Sequence, residues 1–162
     1  GGRDPEQRLT IMRDSRIGAF GALGLALTVL VRASLLAALA AEAPLAGAAG
    51  LVAAAAASRT AMLWPWLSLP AARPDGLARL VGRPLQSAAI AAGLTAAVLV
   101  FVLTVWFAPI AILPAAIGAA LAGWYLAVSA ERLVGGHTGD VLGTTQQVAD
   151  IAVLAAIVMS VS

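Results

Sequence analysis

Apolar residues dominate the chain in long runs, and polar residues gather between them. A run of about 18 or more apolar residues is long enough to cross a bilayer as a helix. Four runs reach that length, at residues 17–41, 46–69, 85–108 and 110–129, and a shorter fifth covers 147–162. No strand alternation of useful length appears, and an open sheet could not satisfy its backbone groups in lipid. The pattern predicts an all-α fold: a polytopic integral membrane helical bundle of about five transmembrane helices in one membrane-embedded domain, 1–162. A short interfacial helix is expected within 1–16. There Asp4 suits an N-cap, Pro5 the first helical position, and Gln7 the capping-box spacing. Leu9 and Met12 share one face of it, away from Arg8 and Arg13.

The connections alternate in character. Segments 1–16, 71–84 and 130–146 are polar and hold Arg3, Arg8, Arg13, Arg16, Arg73, Arg79, Arg83 and Arg132. The turns near 42–44 and at Pro109 hold no arginine. The positive-inside rule places the arginine-rich side, with its motif loop at 130–146, in the cytoplasm. Arg32 and Arg59 remain inside spans. Alanine runs such as 53–57, and the Gly18, Gly21 and Gly24 face of the first span, are expected to let helices pack closely.

Composition narrows the function classes. The chain has 162 residues, of which 61% are hydrophobic and 11% charged, against about 25% charged in soluble domains. It has no cysteine, so disulfides and thiolate metal sites are excluded. A net charge of +2 and 5% aromatic residues give no support for nucleic-acid binding. The opening "GGRDPEQR" shows neither an initiator Met nor a signal-peptide pattern, and reads as the interior of a longer chain.

Two polar stretches stand out against this background. In "GGHTGDVLGTTQQVAD", residues 135–150, a helix starting near Asp140 would bring Asp140, Thr144, Gln147 and Asp150 onto one stripe. Oxygen ligands of this kind suit Mg²⁺, above all when phosphate oxygens complete its shell. Gly135, Gly136, Gly139 and Gly143 would let a phosphate approach the backbone. The same residues also read as a glycine-rich turn with Asp140 as N-cap. His137, the only histidine, has no second histidine or cysteine beside it and reads as a polar loop residue. In "IMRDSRIGAFG", residues 11–21, Asp14 stands between Arg13 and Arg16. Arginine suits bidentate contact with phosphate, and Asp14 could bind a metal or orient the arginines. The alternative is a charge cluster at the lipid headgroups. Arg59, in "ASRTAM", and Arg32 should face the bundle interior and find a carboxylate or an anionic ligand. Arg59 reads as the functional one of the two, and Arg32 as a residue that snorkels or pairs structurally.

Residues 1–21 and 135–150 together resemble the two signature regions of the cobalamin synthase family, the membrane adenosylcobinamide-GDP ribazoletransferases. The first resembles the family's basic, Asp-Ser and Gly-x-x-Gly run. The second resembles its Gly-Gly-x-Thr-Gly-Asp-x-Leu-Gly element, and "SRTA" around Arg59 resembles a Ser-Arg pair of an intervening helix. The likeness covers essentially the whole chain. Thr144 stands where the family often has alanine, and Gln147 and Asp150 where it often has glutamates. Family members carry an acidic segment just before the position where this chain opens, so the chain is expected to be a C-terminal portion of the protein, and the portion alone is not expected to carry full activity.

The resemblance implies the last assembly step of adenosylcobalamin synthesis at a bacterial inner membrane, with Mg²⁺ as cofactor. Its expected partners are adenosylcobinamide-GDP, α-ribazole or its phosphate, and the lipid bilayer; a homo-oligomer stays open. Asp14 and Asp140 are expected to hold metal, and Asp14, Asp140 and Asp150 to be catalytic. Arg13, Ser15, Arg16, Arg59, Gly135, Gly136, Thr138, Gly139 and Gln147 are expected to bind substrate. The rival readings are a CDP-alcohol phosphatidyltransferase-like enzyme, whose Asp-Gly-x-x-Ala-Arg pattern is absent, and a small transporter, which would show inverted repeats.

Overall fold

The computed structural model describes residues 2–14, 16–73 and 81–161. Ser15 and residues 74–80 of the loop between the second and third spans, Arg79 among them, lie outside the described residues. Helix α1 covers Pro5–Arg13, α2 Ala19–Glu42, α3 Pro44–Ala61 and α4 Leu63–Ser68. Helix α5 covers Gln86–Thr104, a 3-10 turn Pro109–Ala111, α6 Ile112–Val134 and α7 Gly139–Val161. Among the described residues, five stretches are long and apolar enough to cross a membrane.

The helix boundaries follow local chemistry. Asp4 caps α1 by accepting a hydrogen bond from the Gln7 amide at 2.8 Å, with Pro5 at the first position. The Gln7 side chain reaches back to the Arg3 amide, one residue before the cap, at 2.9 Å. Pro44 opens α3. Pro65 lacks the N–H that would bond the Ala61 carbonyl, and the second span divides at Met62 into α3 and α4.

The last span differs most from the sequence expectation. It begins at Gly139 rather than near 147, and is a full 23-residue helix. The expected loop at 130–146 shrinks to residues 135–138. Hydropathy hid the first two turns of α7 because they carry the polar stripe.

Helix α7 is the centre of the bundle and packs against α6, α3 and α2. The core holds Leu39, Ala53, Ala54, Ala115, Ala149 and Leu154 among others. Its small residues allow close helix approach, which dispersion rewards where lipid removes the hydrophobic drive. The alanines at 53 and 54 act as expected, with no exposed surface. The glycine face of α2 does not: a Cβ built at Gly18 or Gly24 meets nothing within 4 Å among the described residues. Helix α1 forms as expected and packs on the bundle. Leu9 and Met12 pack on Leu69, Ala127, Ala130, Val134 and Val141, and Arg8 Nη1 donates to the Leu133 carbonyl at 3.0 Å.

Candidate functional site

The end of the bundle that carries α1 also gathers the end of α4, the end of α6 and the start of α7. Gly135 adopts a left-handed φ of 74° and terminates α6. Gly136 follows against the strand-like segment at 70–72, and a Cβ there would collide with the Pro70 carbonyl. The His137 amide donates to Pro70 at 2.8 Å, and the Ala72 amide donates to His137 at 2.9 Å. The His137 ring is buried, with Nδ1 3.1 Å from the Leu69 carbonyl oxygen. That carbonyl can only accept, so Nδ1 carries the proton. His137 is therefore a loop residue, as expected, but a buried fastener rather than a solvated one.

The start of α7 is capped by Thr138. Its hydroxyl accepts from the Val141 amide at 3.2 Å, and its carbonyl accepts from Leu142. Thr138 thus fills the role that the turn reading gave to Asp140. The Asp140 carboxylate is exposed in the first turn and has no hydrogen bond or ion pair among the described residues.

Between α2 and α7 lies a cleft of about 530 Å³. Thr28 and Arg32 line it from α2, and Asp140, Thr144 and Gln147 from α7. Gly139 and Gly143 form part of the same wall, and a Cβ at either would meet nothing within 4 Å. Asp140, Thr144 and Gln147 are all exposed and unpartnered among the described residues. The stripe expected from the 3.6-residue period is real, and Asp140, Thr144 and Gln147 of it lie in one wall of a cleft that Leu25, Val29, Val148 and Ile151 also line.

Asp150 ends the stripe but does not line the cleft. It is 4% exposed, and its Oδ2 lies 2.8 Å from Arg32 Nε. Arg59 is exposed, and its Nη1 donates to the Ala55 carbonyl of its own helix at 2.9 Å. Arg32, which the sequence reading ranked below Arg59, is thus the cleft residue. The signal that could have found it is the scarcity of charge in the spans: a lone intramembrane carboxylate needs an intramembrane cation.

The N-terminal cluster is arranged apart from the cleft. Arg16 grips the exposed Asp14 carboxylate from Nε at 3.0 Å and Nη2 at 2.7 Å. This holds the Asp14 carboxyl below the ordinary aspartate range. None of Arg13, Asp14 and Arg16 lines the cleft. No group of three or more acidic or imidazole side chains that could hold a metal occurs among the described residues. At its Asp140 end the cleft wall offers one carboxylate and the Thr144 hydroxyl, with Gln147 about 10 Å further along the helix. That donor set fits Mg²⁺ only when water and phosphate oxygens supply the remaining ligands, which is how Mg²⁺ is commonly held. A second cavity of about 570 Å³, between α3, α4, α5 and α6, is lined by alanines and other apolar side chains with Thr60 and Gln86, and carries no charge.

The family model described as cobalamin-5-phosphate synthase matches residues 1–158. The chain belongs to that family. Among curated members, the adenosylcobinamide-GDP ribazoletransferase of Rhizobium etli strain CFN 42 is 44% identical over 161 residues, covering 97% of this chain and 61% of that protein. The protein of the same name from Sinorhizobium medicae is 42% identical over 165 residues, covering 99% of this chain and 63% of its own. The one from Azorhizobium caulinodans is 41% identical, covering 95% and 59%. The chain therefore spans about three fifths of the length of these cobalamin-5-phosphate synthase family members. No solved structure matches it.

Proposed function

We propose that the full protein is a transferase of the last step of adenosylcobalamin synthesis, joining adenosylcobinamide-GDP to α-ribazole or its phosphate. The single observation that carries this reading is the cleft between α2 and α7, with Asp140, Thr144 and Gln147 unpartnered among the described residues on one wall and Arg32 on the other. It lies within a chain whose curated relatives are named for that reaction.

The chemistry is a phosphoryl transfer. The ribazole hydroxyl oxygen forms a bond to the phosphorus nearer the corrinoid. The bond from that phosphorus to the bridging oxygen breaks, and GMP leaves with the electron pair. The hydroxyl proton passes to a base. Catalysis of this kind is mostly positioning and neutralisation of charge. Mg²⁺, when bound, supplies neutralisation of the phosphate oxygens. Asp140 would hold it at the mouth of the cleft; Asp14, paired with Arg16, does not line the cleft. The N-terminus of α7 adds its positive dipole end at the same place. Gln147 and Thr144 would bind phosphate or ribose oxygens. Asp150, tied to Arg32 and out of the cleft, suits a role in orienting that arginine better than one as base. The arginine-rich end is assigned to the cytoplasm, across the bacterial inner membrane, by the positive-inside rule.

The test is an assay of the full-length protein in lipid. It should release GMP from adenosylcobinamide-GDP when α-ribazole and Mg²⁺ are supplied, and chelation of Mg²⁺ should stop release. Folded protein that yields neither GMP nor a joined corrinoid product would overturn the reading.

A further inference from the structure

We propose that Arg32 is a phosphate-binding residue at the inner end of the cleft, and that Asp150 is the positioning residue that holds it there. This rests on the transfer chemistry proposed above and deepens it. The closest approach of Arg32 to Asp150 is Nε to Oδ2 at 2.8 Å, between two buried atoms that meet as an ion pair without hydrogen-bond geometry. The two terminal nitrogens, with four of the five guanidinium N–H donors, make no hydrogen bond to the described residues. Nor are they among the buried unpartnered atoms, so they are open to the cleft that Arg32 lines. The arginine side chain is 36% exposed and the aspartate 5%. Asp150 thus fixes the guanidinium from behind and leaves its forked edge unspent. Such an edge matches two oxygens of a phosphate.

Charge points the same way. Away from the ends of the spans, the described residues hold two cations, Arg32 and Arg59, and one carboxylate, Asp150, which pairs with Arg32. A cation at membrane depth is costly unless an anion or water meets it. Gln147, one turn from Asp150, lines the cleft beside Arg32 and can donate an amide N–H to the same ligand. Asp140 lies ten residues nearer the mouth, about 15 Å along the helix. The cleft therefore has an acidic outer end suited to a metal and a basic inner end suited to phosphate. Because the cleft opens between two spans, the phosphate could come from the substrate diphosphate or from a lipid headgroup. The proposal commits to the substrate.

The experiment uses full-length protein in lipid-free maltoside micelles, with inorganic pyrophosphate and GDP as calorimetric probes and phosphatidylglycerol as the lipid probe. Wild type should bind both diphosphates. Arg32→Gln should weaken that binding about tenfold to a hundredfold, the range expected for hydrogen bonds to a charged group, and should raise the KM for adenosylcobinamide-GDP more than it lowers kcat. Arg32→Lys should rescue part of it. Asp150→Asn should weaken binding less than Arg32→Gln does. The double variant Arg32→Gln/Asp150→Asn leaves no lone buried charge, so it should melt like a folded protein yet bind as poorly as Arg32→Gln. Wild-type affinity in a folded double variant would overturn the proposal and make the pair purely structural. Binding of phosphatidylglycerol but of neither diphosphate would also overturn it. Arg32-dependent pyrophosphate binding without any GMP release would instead sink the transfer reading and leave the anion site standing.

Discussion

Arg32 on α2 and Asp150 on α7 meet at 2.8 Å inside an apolar bundle, and they differ in how far each reaches solvent-accessible space. Asp150 has 5% of its side chain exposed, Arg32 36%. Removing Arg32 therefore strands a buried carboxylate, whereas removing Asp150 leaves an arginine that can turn into the cleft. Arg32→Leu should cost about 3–5 kcal/mol of stability, the usual effect of breaking a buried pair from one side. Asp150→Leu should cost less. The double leucine variant should be close to wild type in stability, because it buries no charge at all. Equilibrium unfolding of the full-length protein in detergent checks the ranking, and Asp150→Leu proving the more damaging single change would refute it.

The 135–138 loop should be sensitive to very small additions. Gly136 has no room for a Cβ against the Pro70 carbonyl and the Ala72 amide, which are backbone atoms with little freedom to move. Gly136→Ala should cost about 1–3 kcal/mol, as overpacking commonly does. It should also loosen the paired hydrogen bonds between His137 and residues 70 and 72. Gly139→Ala, with open space around its Cβ, should leave stability nearly unchanged. Melting temperatures of the two variants, with amide exchange at His137 and Ala72, provide the comparison.

The Asp14–Arg16 pair predicts a pH response. Hydrogen bonds from the Arg16 side chain and amide depress the Asp14 carboxyl below its ordinary value. A depressed carboxyl contributes stabilisation that is present above the unfolded value and lost as pH falls through the folded one. The contact should thus persist from pH 8 down past pH 5, and any loss of activity in that window must come from another group. Arg16→Gln should raise the Asp14 midpoint, because the first cause of the shift is removed. Carbon-13 NMR titration of labelled aspartate would read this directly, and an unmoved midpoint would contradict it.

The sequence made the spans legible because lipid demands long apolar helices, and five of them are present among the described residues. It misplaced the start of α7 because hydropathy reads Asp140, Thr144, Thr145, Gln146 and Gln147 as loop, although a polar face can be helical where it walls a cleft. The stripe itself was legible, since a period of 3.6 needs no tertiary information. The Arg32–Asp150 contact was not, because its partners lie on helices far apart in the chain and only packing brings them together. The cap was misassigned for a local reason: both Thr138 and Asp140 are good caps, and the turn at Gly135–Gly136 decides which residue stands at the helix start.

Asp140 supplies the sharpest test of the site. Thr138 caps α7, so Asp140 is not needed to form the helix, and its carboxylate has no partner among the described residues. Asp140→Ala should therefore leave the fold intact, with a change in stability of no more than about 0.5–1 kcal/mol, the usual contribution of an acidic residue near a helix N-terminus. Activity should respond very differently. If Asp140 holds Mg²⁺ at the cleft mouth, alanine should lower GMP release about a hundredfold or more, comparable with losing one preorganised charge-stabilising group. It should also raise the Mg²⁺ concentration needed for half-maximal rate. Asp140→Asn keeps the shape but not the charge and should fall near alanine, while Asp140→Glu should recover part of the rate at higher Mg²⁺. The full-length enzyme, assayed across a Mg²⁺ series with melting measured in parallel, separates the two effects. Unchanged GMP release from Asp140→Ala would remove Asp140 from the reaction and with it the metal end of the cleft.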